Sequence, residues 1–276
     1  MESASIRDPI VCRRAAELLR DGGAFGSLVR GVCAVWVDGR NSDAVEAVYK
    51  IKGEQRGRRP FGVILSAERL STLVDLSRIA PPTRDLLSDP DELGNRIGSL
   101  CFIRYPVADA VAASLPEWVM SQTDDGVHWV QSWMPDGWAA PRILIDALNS
   151  AGVDLPIVTS MNVSGQPELV DQEEGLRFSA THGIALFLAD PDAPGDVKGS
   201  FPILSVDASG IKLAREGHFP GYLFDVLLDR WHVDRRDSQP AKYPLVATHS
   251  EASARQIPPH VLRTEIIERL HRTGND

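Results

Sequence analysis

The sequence contains few cysteines and no pattern that would give them a function. The three residues, Cys12, Cys33 and Cys101, lie far apart, and no pair has the Cys-x-x-Cys spacing. An odd and scattered set argues against a disulfide framework and against a zinc site. We therefore expect them to be buried or free thiols in a reducing compartment.

Long hydrophobic segments are also missing. No apolar run approaches the ~18 residues that a membrane-spanning helix needs, and the first eight residues lack the apolar region of a secretory signal. Hydrophobic residues nevertheless make up 43% of the 276 residues, so a core can form without a disulfide or metal. These features predict a cytoplasmic protein with no membrane partner.

Positive charge is scarce in the chain as a whole. The net charge of −9 argues against a surface built for nucleic acid. Residues 50–59 reverse this balance, because they carry five basic side chains and one acidic side chain. Such a segment is either a solvated loop or a phosphate-binding site, and charge alone favours the solvated loop.

Several common catalytic motifs are absent from the sequence. It has no phosphate-binding Gly-x-x-x-x-Gly-Lys loop, no Gly-x-Ser-x-Gly elbow and no His-Glu-x-x-His zinc motif. The glycines at positions 22, 23 and 26 follow a predicted helix, so they are not a dinucleotide fingerprint. We predict no metal site formed by the protein alone.

Apolar periodicity predicts a mixed α/β (α+β) chain, because strands and helices alternate irregularly. The predicted helices are 9–20, about 44–52, 68–76, 107–114, 141–149 and 259–271. The predicted strands are 32–37, 60–65, 99–103, 127–131, 156–159 and 184–189, with a hairpin at 202–206 and 210–215. Residues 80–96, rich in Pro, Asp and Arg, are predicted to be a loop.

Two polar segments carry the candidate binding residues. In the first, Ser160, Asn162 and Ser164 follow a predicted buried strand, where hydroxyl and amide groups can face phosphate oxygens or a ribose. The alternative for this segment is a polar turn that caps the next element. The second is the basic segment, whose side chains could clamp phosphates. Its candidates are Lys52, Arg56, Arg58 and Arg59.

These segments resemble the YrdC-like family, whose members include threonylcarbamoyl-AMP synthases. The resemblance covers roughly residues 9–220 and is most specific in the Ser-x-Asn loop. Residues 15–23 resemble the family's first helix and Gly-Gly turn, 44–53 its second helix and Lys-x-Arg motif, 159–167 its Ser-x-Asn loop, and 202–217 its last strands.

The resemblance implies a twisted mixed sheet flanked by helices, with a concave basic cleft. It also implies a nucleotidyltransferase that converts ATP, bicarbonate and L-threonine to threonylcarbamoyl-AMP and pyrophosphate, usually with Mg²⁺, for tRNA modification at adenosine 37. Some members bind double-stranded RNA, so RNA is a possible partner. By resemblance, the nucleotide contacts are Lys52, Ser160, Asn162 and Arg215.

The resemblance also suggests a domain organisation. Residues 9–217 correspond to the YrdC-like domain. Residues 218–276 form a C-terminal extension, for which Trp231 and the predicted helix 259–271 suggest a lid or an interface.

Four segments depart from the family's pattern. The family's Pro-Thr-x-Thr strand is replaced by residues 28–31, and Glu54 stands where the Lys-x-Arg arginine is expected. Residues 131–136 lack the arginine of a Val-Arg-x-Pro-Asp strand, and residues 203–204 replace a Ser-Thr pair. Two functions therefore stay open: an enzyme that uses an amino acid other than threonine, or a scaffold that binds a nucleotide, RNA or protein without catalysis.

Overall fold

A mixed sheet organises the part of the chain that the computed structural model describes, residues 2–29, 31–57, 59–93, 97–190, 199–217 and 231–240. Its eleven strands in this part are β1 (Glu2–Ser5), β2 (Ala24–Val29), β3 (Val32–Asp38), β4 (Gly62–Ile64), β5 (Phe102–Pro106), β6 (Met120–Gln122), β7 (His128–Trp133), β8 (Pro156–Ser160), β9 (Leu186–Ala189), β10 (Ile203–Asp207) and β11 (Gly210–Arg215).

Eight α-helices accompany the sheet in the same described ranges. They are α1 (Pro9–Arg20), α2 (Ser42–Lys52), α3 (Ala67–Leu73), α4 (Pro81–Leu87), α5 (Pro90–Glu92), α6 (Asp109–Ala112), α7 (Ala139–Ser150) and α8 (Gln172–Thr181).

The strand order is β1-β9-β2-β3-β8-β4-β7-β5-β10-β11, and β6 pairs with β7. Neighbours β1/β9, β9/β2, β4/β7 and β5/β10 are parallel, while β2/β3, β3/β8, β8/β4, β7/β5 and β10/β11 are antiparallel. The predicted mixed α/β class is therefore confirmed, with neighbours of both orientations in one sheet.

Helices cover both faces of the sheet, and each face has its own apolar core. Helices α1 and α7 contact each other and pack with Phe25, Trp36 and Trp133 on one face. Val45 and Val48 of α2 belong to the larger core on the opposite face. Helix packing on one face of a sheet needs an apolar stripe on each helix, and the sequence supplies it at helical spacing.

Most predicted elements are present with small changes in their bounds. Helix α1 has the predicted bounds, because Asp8 accepts a hydrogen bond from the N–H of Ile10 and Pro9 occupies the first turn. Asn41 caps α2 in the same way by accepting from the N–H of Ala44, at 3.0 Å. The predicted hairpin is confirmed as the antiparallel pair β10/β11.

The prediction of a loop over residues 80–96 is wrong. Two helices, α4 and α5, occupy much of this segment. Their prolines lie in the first turn, where a missing N–H costs no hydrogen bond. Leu87 and Leu93 are 2% and 0% exposed, so apolar burial fixes a segment whose composition is typical of a loop.

Besides α4 and α5, four elements were not predicted, and strand β5 begins three residues later than expected. The four elements are β1, β2, β6 and α8. Strand β1 pairs in parallel with β9 more than 180 residues away, a contact that no local pattern reports. Helix α8 does have a local signal, since Asp171 caps it and acidic residues fill its first turn.

Part of the predicted C-terminal extension lies against the edge of the sheet. Asp234 pairs with Lys212 and Gln239 with Arg215, both on strand β11. The N–H of Leu213 donates to the Asp234 carbonyl at 2.8 Å. The predicted helix 259–271 lies outside the described residues, so the domain boundary and a lid role stay predictions.

The three cysteines are free and buried, as expected. Burial raises the pKa of the Cys12 and Cys33 thiols to about 12, so both are protonated at neutral pH. Within the described ranges no helix has the length and apolar content to cross a membrane.

Helix α8 approaches the sheet so closely that one position requires glycine. A Cβ on Gly175 would lie 2.7 Å from ring atoms of Phe187 and 2.8 Å from the Cys33 sulfur. We expect Gly175→Ala to lower the free energy of unfolding by about 1–3 kcal/mol, because overpacking outweighs the helix propensity that alanine adds. Urea denaturation measures this, with the exposed Glu174→Ala as the control. Equal stability of the two variants would contradict the packing argument.

Candidate functional site

A cavity of about 390 Å³ opens on the face of the sheet that also carries α1 and α7. Its lining spans eight neighbouring strands of the order given above, from β2 to β11. Alternating residues of β3 and β7 supply much of this lining, because side chains that alternate along a strand share one face of the sheet. On β3 these residues are Val32, Ala34 and Trp36, and on β7 they are Trp129, Gln131 and Trp133.

Lys52, at the end of α2, forms hydrogen bonds with the Ser-x-Asn loop, residues 159–167. Its Nζ donates to the carbonyl oxygen of Ser160 and to Oδ1 of Asn162, both at 2.6 Å. The Ser160 hydroxyl donates to the same Oδ1 at 2.8 Å. Lys52 is 3% exposed, so this ammonium is held by fixed oxygens rather than by water.

The loop after β8 is fixed by its backbone as well. The N–H of Ser164 donates to the Lys52 carbonyl at 2.8 Å, and the Asn162 amide donates to the Gln166 carbonyl at 2.7 Å. The alternative interpretation, a turn that caps the next helix, does not apply, because Asp171 caps α8. Ser160 and Ser164 line the cavity, whereas Asn162 is buried behind them and supports the loop.

Arg56 enters the cavity although Glu54 does not. The two residues lie in one short 3₁₀ turn, which leaves Glu54 exposed and turns Arg56 inward to 7% exposure. The Arg56 guanidinium stacks 4.1 Å from the centre of the Phe61 ring and donates to Thr159 Oγ1 at 3.2 Å. Burial lowers the pKa of Arg56 to about 10, so it remains charged at neutral pH.

Arg59 completes this side of the cavity, and Arg58 lies outside the described residues. Arg59 lines the cavity and donates from Nε to the Arg56 carbonyl at 2.8 Å. The basic segment is therefore more than the solvated loop that charge alone favoured.

A second polar cluster was largely missed by the sequence interpretation. Arg104 of β5, Arg215 of β11, Glu168 and Ser200 all line the cavity, and only Arg215 was a candidate. Arg215 donates from Nη2 to the Phe201 carbonyl at 2.8 Å, and Ser200 donates to Glu168 Oε1. Alternation along β5 could have indicated Arg104, but no local signal marks Glu168.

The cavity is strongly cationic in an acidic chain. Among the described residues its charged lining consists of one carboxylate, Glu168, and five cations: Lys52, Arg56, Arg59, Arg104 and Arg215. Burial lowers the pKa of Arg104 and of Arg215, and Glu168 opposes this shift for Arg215. Concentrated positive charge in a concave surface attracts anions.

Two of the four departures from the family's pattern line the same cavity, at strands β7 and β10. Strand β2 contributes the hydroxyl of Ser27, which accepts a hydrogen bond from Trp36 Nε1 at 2.7 Å. Ile203 lines the cavity where the resemblance implies a hydroxyl, and Gln131 lines it on strand β7. The loss of hydroxyls is therefore real at Ile203, while the strand at β2 presents a serine instead.

The buried polar atoms of the cavity suit an anionic ligand. Within the described part of the chain, Nε of Arg56 and Nε of Arg215 are buried and have no hydrogen-bond partner. The same part contains no cluster of three or more His, Cys, Asp or Glu residues that could hold a metal ion.

No family model and no curated protein matches this sequence, but solved structures match its fold. A variant of Sua5 from P. abyssi superposes with a TM-score of 0.62 at 16% identity, covering 83% of this chain and 63% of that one. P. abyssi Sua5 complexed with L-threonine gives 0.59 at 16% identity, over 86% and 65%.

Two further structures extend this set. Full-length HypF in a phosphate- and nucleotide-bound form gives a TM-score of 0.55 at 17% identity, over 75% of this chain and 29% of that one. E. coli YciO gives 0.53 at 14% identity, over 76% and 90%. The chain thus spans slightly less than two thirds of the Sua5 proteins, and its fold is the YrdC-like fold that it shares with Sua5, HypF and YciO.

Proposed function

We propose that the chain is an ATP-dependent nucleotidyltransferase that forms a carbamoyl-adenylate, the type of reaction carried out by threonylcarbamoyl-AMP synthases. The observation that carries this proposal is the cavity, where the Lys52-anchored Ser160 loop lines the same space as four arginines. The fold shared with an L-threonine-bound Sua5 and a nucleotide-bound HypF supports it. ATP and an amino acid are the proposed ligands.

The proposed reaction needs no covalent intermediate with the protein. An amine and bicarbonate give a carbamate and water. A carbamate oxygen then forms a bond to the α-phosphorus of ATP, and the bond from that phosphorus to the bridging oxygen breaks, so pyrophosphate leaves with the electron pair. Such a step gains most from neutralised charge and in-line positioning.

The residues of the cavity have distinct proposed roles. Arg56 and Arg59 neutralise phosphate charge, and guanidinium groups suit this because they donate in pairs to phosphate oxygens. Ser160 and Ser164 lie at the same wall, and Lys52 holds their loop in place. Mg²⁺ is proposed to arrive with the phosphates, where it would neutralise their charge further.

Release of pyrophosphate tests the proposed reaction. We expect release only when ATP, bicarbonate and a suitable amino acid are all present, with a panel of the twenty amino acids supplied singly. Omitting bicarbonate or the amino acid should reduce release to the background of ATP hydrolysis. Absence of release across the whole panel, with the protein folded and binding ATP, would reject the enzyme.

A second candidate is a nucleotide-binding scaffold without turnover. Ile203 in the cavity favours it, because an apolar side chain cannot donate a hydrogen bond to a phosphate or substrate. This candidate predicts ATP binding with no pyrophosphate release. If the scaffold binds RNA, its affinity for RNA should fall steeply as salt is added. A measured lack of RNA binding at low salt would reject this form of the scaffold and a direct role on tRNA.

A further inference from the structure

The second polar cluster contains a buried carboxylate oxygen that nothing in the described chain satisfies. Glu168 is 9% exposed, and its Oε1 accepts a hydrogen bond from the Ser200 hydroxyl. Its Oε2 is buried without a hydrogen-bond partner among the described residues. A buried carboxylate oxygen without a donor is costly, so the arrangement favours a ligand that donates a hydrogen bond there.

Arg215 lies near this carboxylate and Arg104 lies near Arg215, so the cluster carries more positive than negative charge. Both Glu168 and Arg104 are close enough to Arg215 to shift its pKa, in opposite directions. Arg104 forms no hydrogen bond or ion pair through its side chain with any residue in the described ranges, and Arg215 uses one nitrogen on the Phe201 carbonyl. By charge and hydrogen-bonding capacity, the cluster can therefore bind one carboxylate through its arginines and one amine through Glu168.

An aromatic wall adjoins the cluster. The ring of Phe201 lies 5.3 Å from that of Trp133 and 6.1 Å from that of Phe102, measured between ring centres, and all three residues line the cavity. Phe102 reaches across the sheet because Gly62 has no side chain: a Cβ there would lie 2.5 Å from Phe102 Cε1. Ile203 pairs with both Phe102 and Arg215, so it continues this apolar surface to the cluster.

We propose that this cluster and wall form the acceptor subsite, and that the acceptor is an α-amino acid with an apolar or aromatic side chain. Glu168 accepts from the amine, Arg104 and Arg215 bind the carboxylate, and the wall of Phe102, Trp133 and Phe201 holds the side chain. This inference rests on the proposed function, because it names the amine that enters the reaction. A hydroxyl side chain such as that of threonine would lose its hydrogen bonds to water at this wall.

Binding to the unmodified protein tests the inference without requiring turnover. Trp36, Trp129 and Trp133 line the cavity, so tryptophan fluorescence reports ligands directly, and calorimetry gives the affinities. We expect leucine and phenylalanine to bind about tenfold more tightly than threonine. We expect 3-phenylpropionate, which lacks only the amine of phenylalanine, to bind about tenfold more weakly than phenylalanine.

Two variants separate the two parts of the subsite. Glu168→Gln keeps the shape and an oxygen for Ser200 but removes the charge. It should weaken phenylalanine binding about tenfold without weakening ATP binding, because loss of a negative charge does not reduce the attraction of the cavity for phosphate. Glu173→Gln is the matched control, because its side chain is 84% exposed on α8. Phe102→Ala should reduce the preference for phenylalanine over threonine, because it removes part of the apolar wall.

The outcomes distinguish this inference from the proposed function. Tighter binding of threonine than of leucine and phenylalanine overturns the apolar specificity. Equal binding of phenylalanine and 3-phenylpropionate overturns the role of Glu168, whether or not the variant folds. If ATP binds and none of the amino acids does, the inference fails and nucleotide binding stands; if ATP itself does not bind, the proposed function fails first.

Discussion

Replacement of Lys52 by methionine is expected to produce the largest loss of both stability and nucleotide binding. Methionine fills much of the same volume but removes two hydrogen bonds from a buried ammonium, to Ser160 and Asn162. Hydrogen bonds to charged groups contribute about 1.5–3 kcal/mol each. Because Asn162 still accepts from the Ser160 hydroxyl, we expect a net loss of about 2–4 kcal/mol in the free energy of unfolding.

The effect on nucleotide affinity follows from the same contacts. Lys52 holds the loop that brings Ser160 and Ser164 to the cavity. A misplaced loop and one fewer cation should weaken ATP binding about a hundredfold at low salt, equal to roughly 2.7 kcal/mol. Calorimetry with ATP measures the affinity, and urea denaturation measures the stability.

Lys50→Met provides the matched control for this experiment. Lys50 lies on the same helix, two residues away, and its side chain is exposed. It should change the stability by less than about 0.5 kcal/mol, as surface substitutions do. If the Lys52 and Lys50 variants unfold at the same urea concentration, the hydrogen bonds of the buried Lys52 ammonium do not stabilise the fold. If the Lys52 variant is less stable but binds ATP as tightly as the unmodified protein, the loop does not face the nucleotide.

Replacement of Arg56 by glutamine is expected to weaken ATP binding by about tenfold to a hundredfold, the second largest effect. We expect this loss because the Arg56 side chain lies inside the cavity, whereas the Glu54 side chain is exposed to solvent. Loss of a charge-assisted contact with phosphate costs about 1.5–3 kcal/mol. Affinity should also fall less steeply with added salt, since one cation has been removed.

A lysine at the same position separates charge from geometry. Arg56→Lys keeps the charge but cannot donate in pairs or stack as a plane on Phe61, so we expect only partial recovery of ATP affinity. Arg13→Gln, on the exposed side of α1, is the control for removal of one positive charge. Full recovery by lysine would show that charge alone matters, and equal losses in the two glutamine variants would remove Arg56 from the site.

The two candidate segments illustrate how far local sequence patterns reach. The Ser-x-Asn loop was predictable because an apolar strand runs directly into alternating polar residues, and the structure places Ser160 and Ser164 at the cavity. The basic segment was predictable as a cluster of charge. Which of its side chains turn inward was not, since this depends on a three-residue turn and the ring of Phe61.

The grouping of Arg104, Glu168 and Arg215 in one cluster was beyond the sequence patterns. Arg104 and Glu168 are 64 positions apart, yet both influence the pKa of Arg215. Neither belongs to a motif, and each is unremarkable among its sequence neighbours. Only the order of β5, β10 and β11 in the sheet brings the two arginines close together.

The sequence by itself determined the mixed α/β class, the helix that ends at Lys52, the strand that leads to Ser160, and the absence of a disulfide framework. These properties follow from apolar periodicity, caps and residue spacing, which are local. Tertiary structure alone decided the pairing of β1 with β9, the inward turn of Arg56 and the cluster around Glu168. The strand pairing, the cluster and the contact of Arg56 with Thr159 depend on segments distant in sequence, whose interaction energies no local pattern contains.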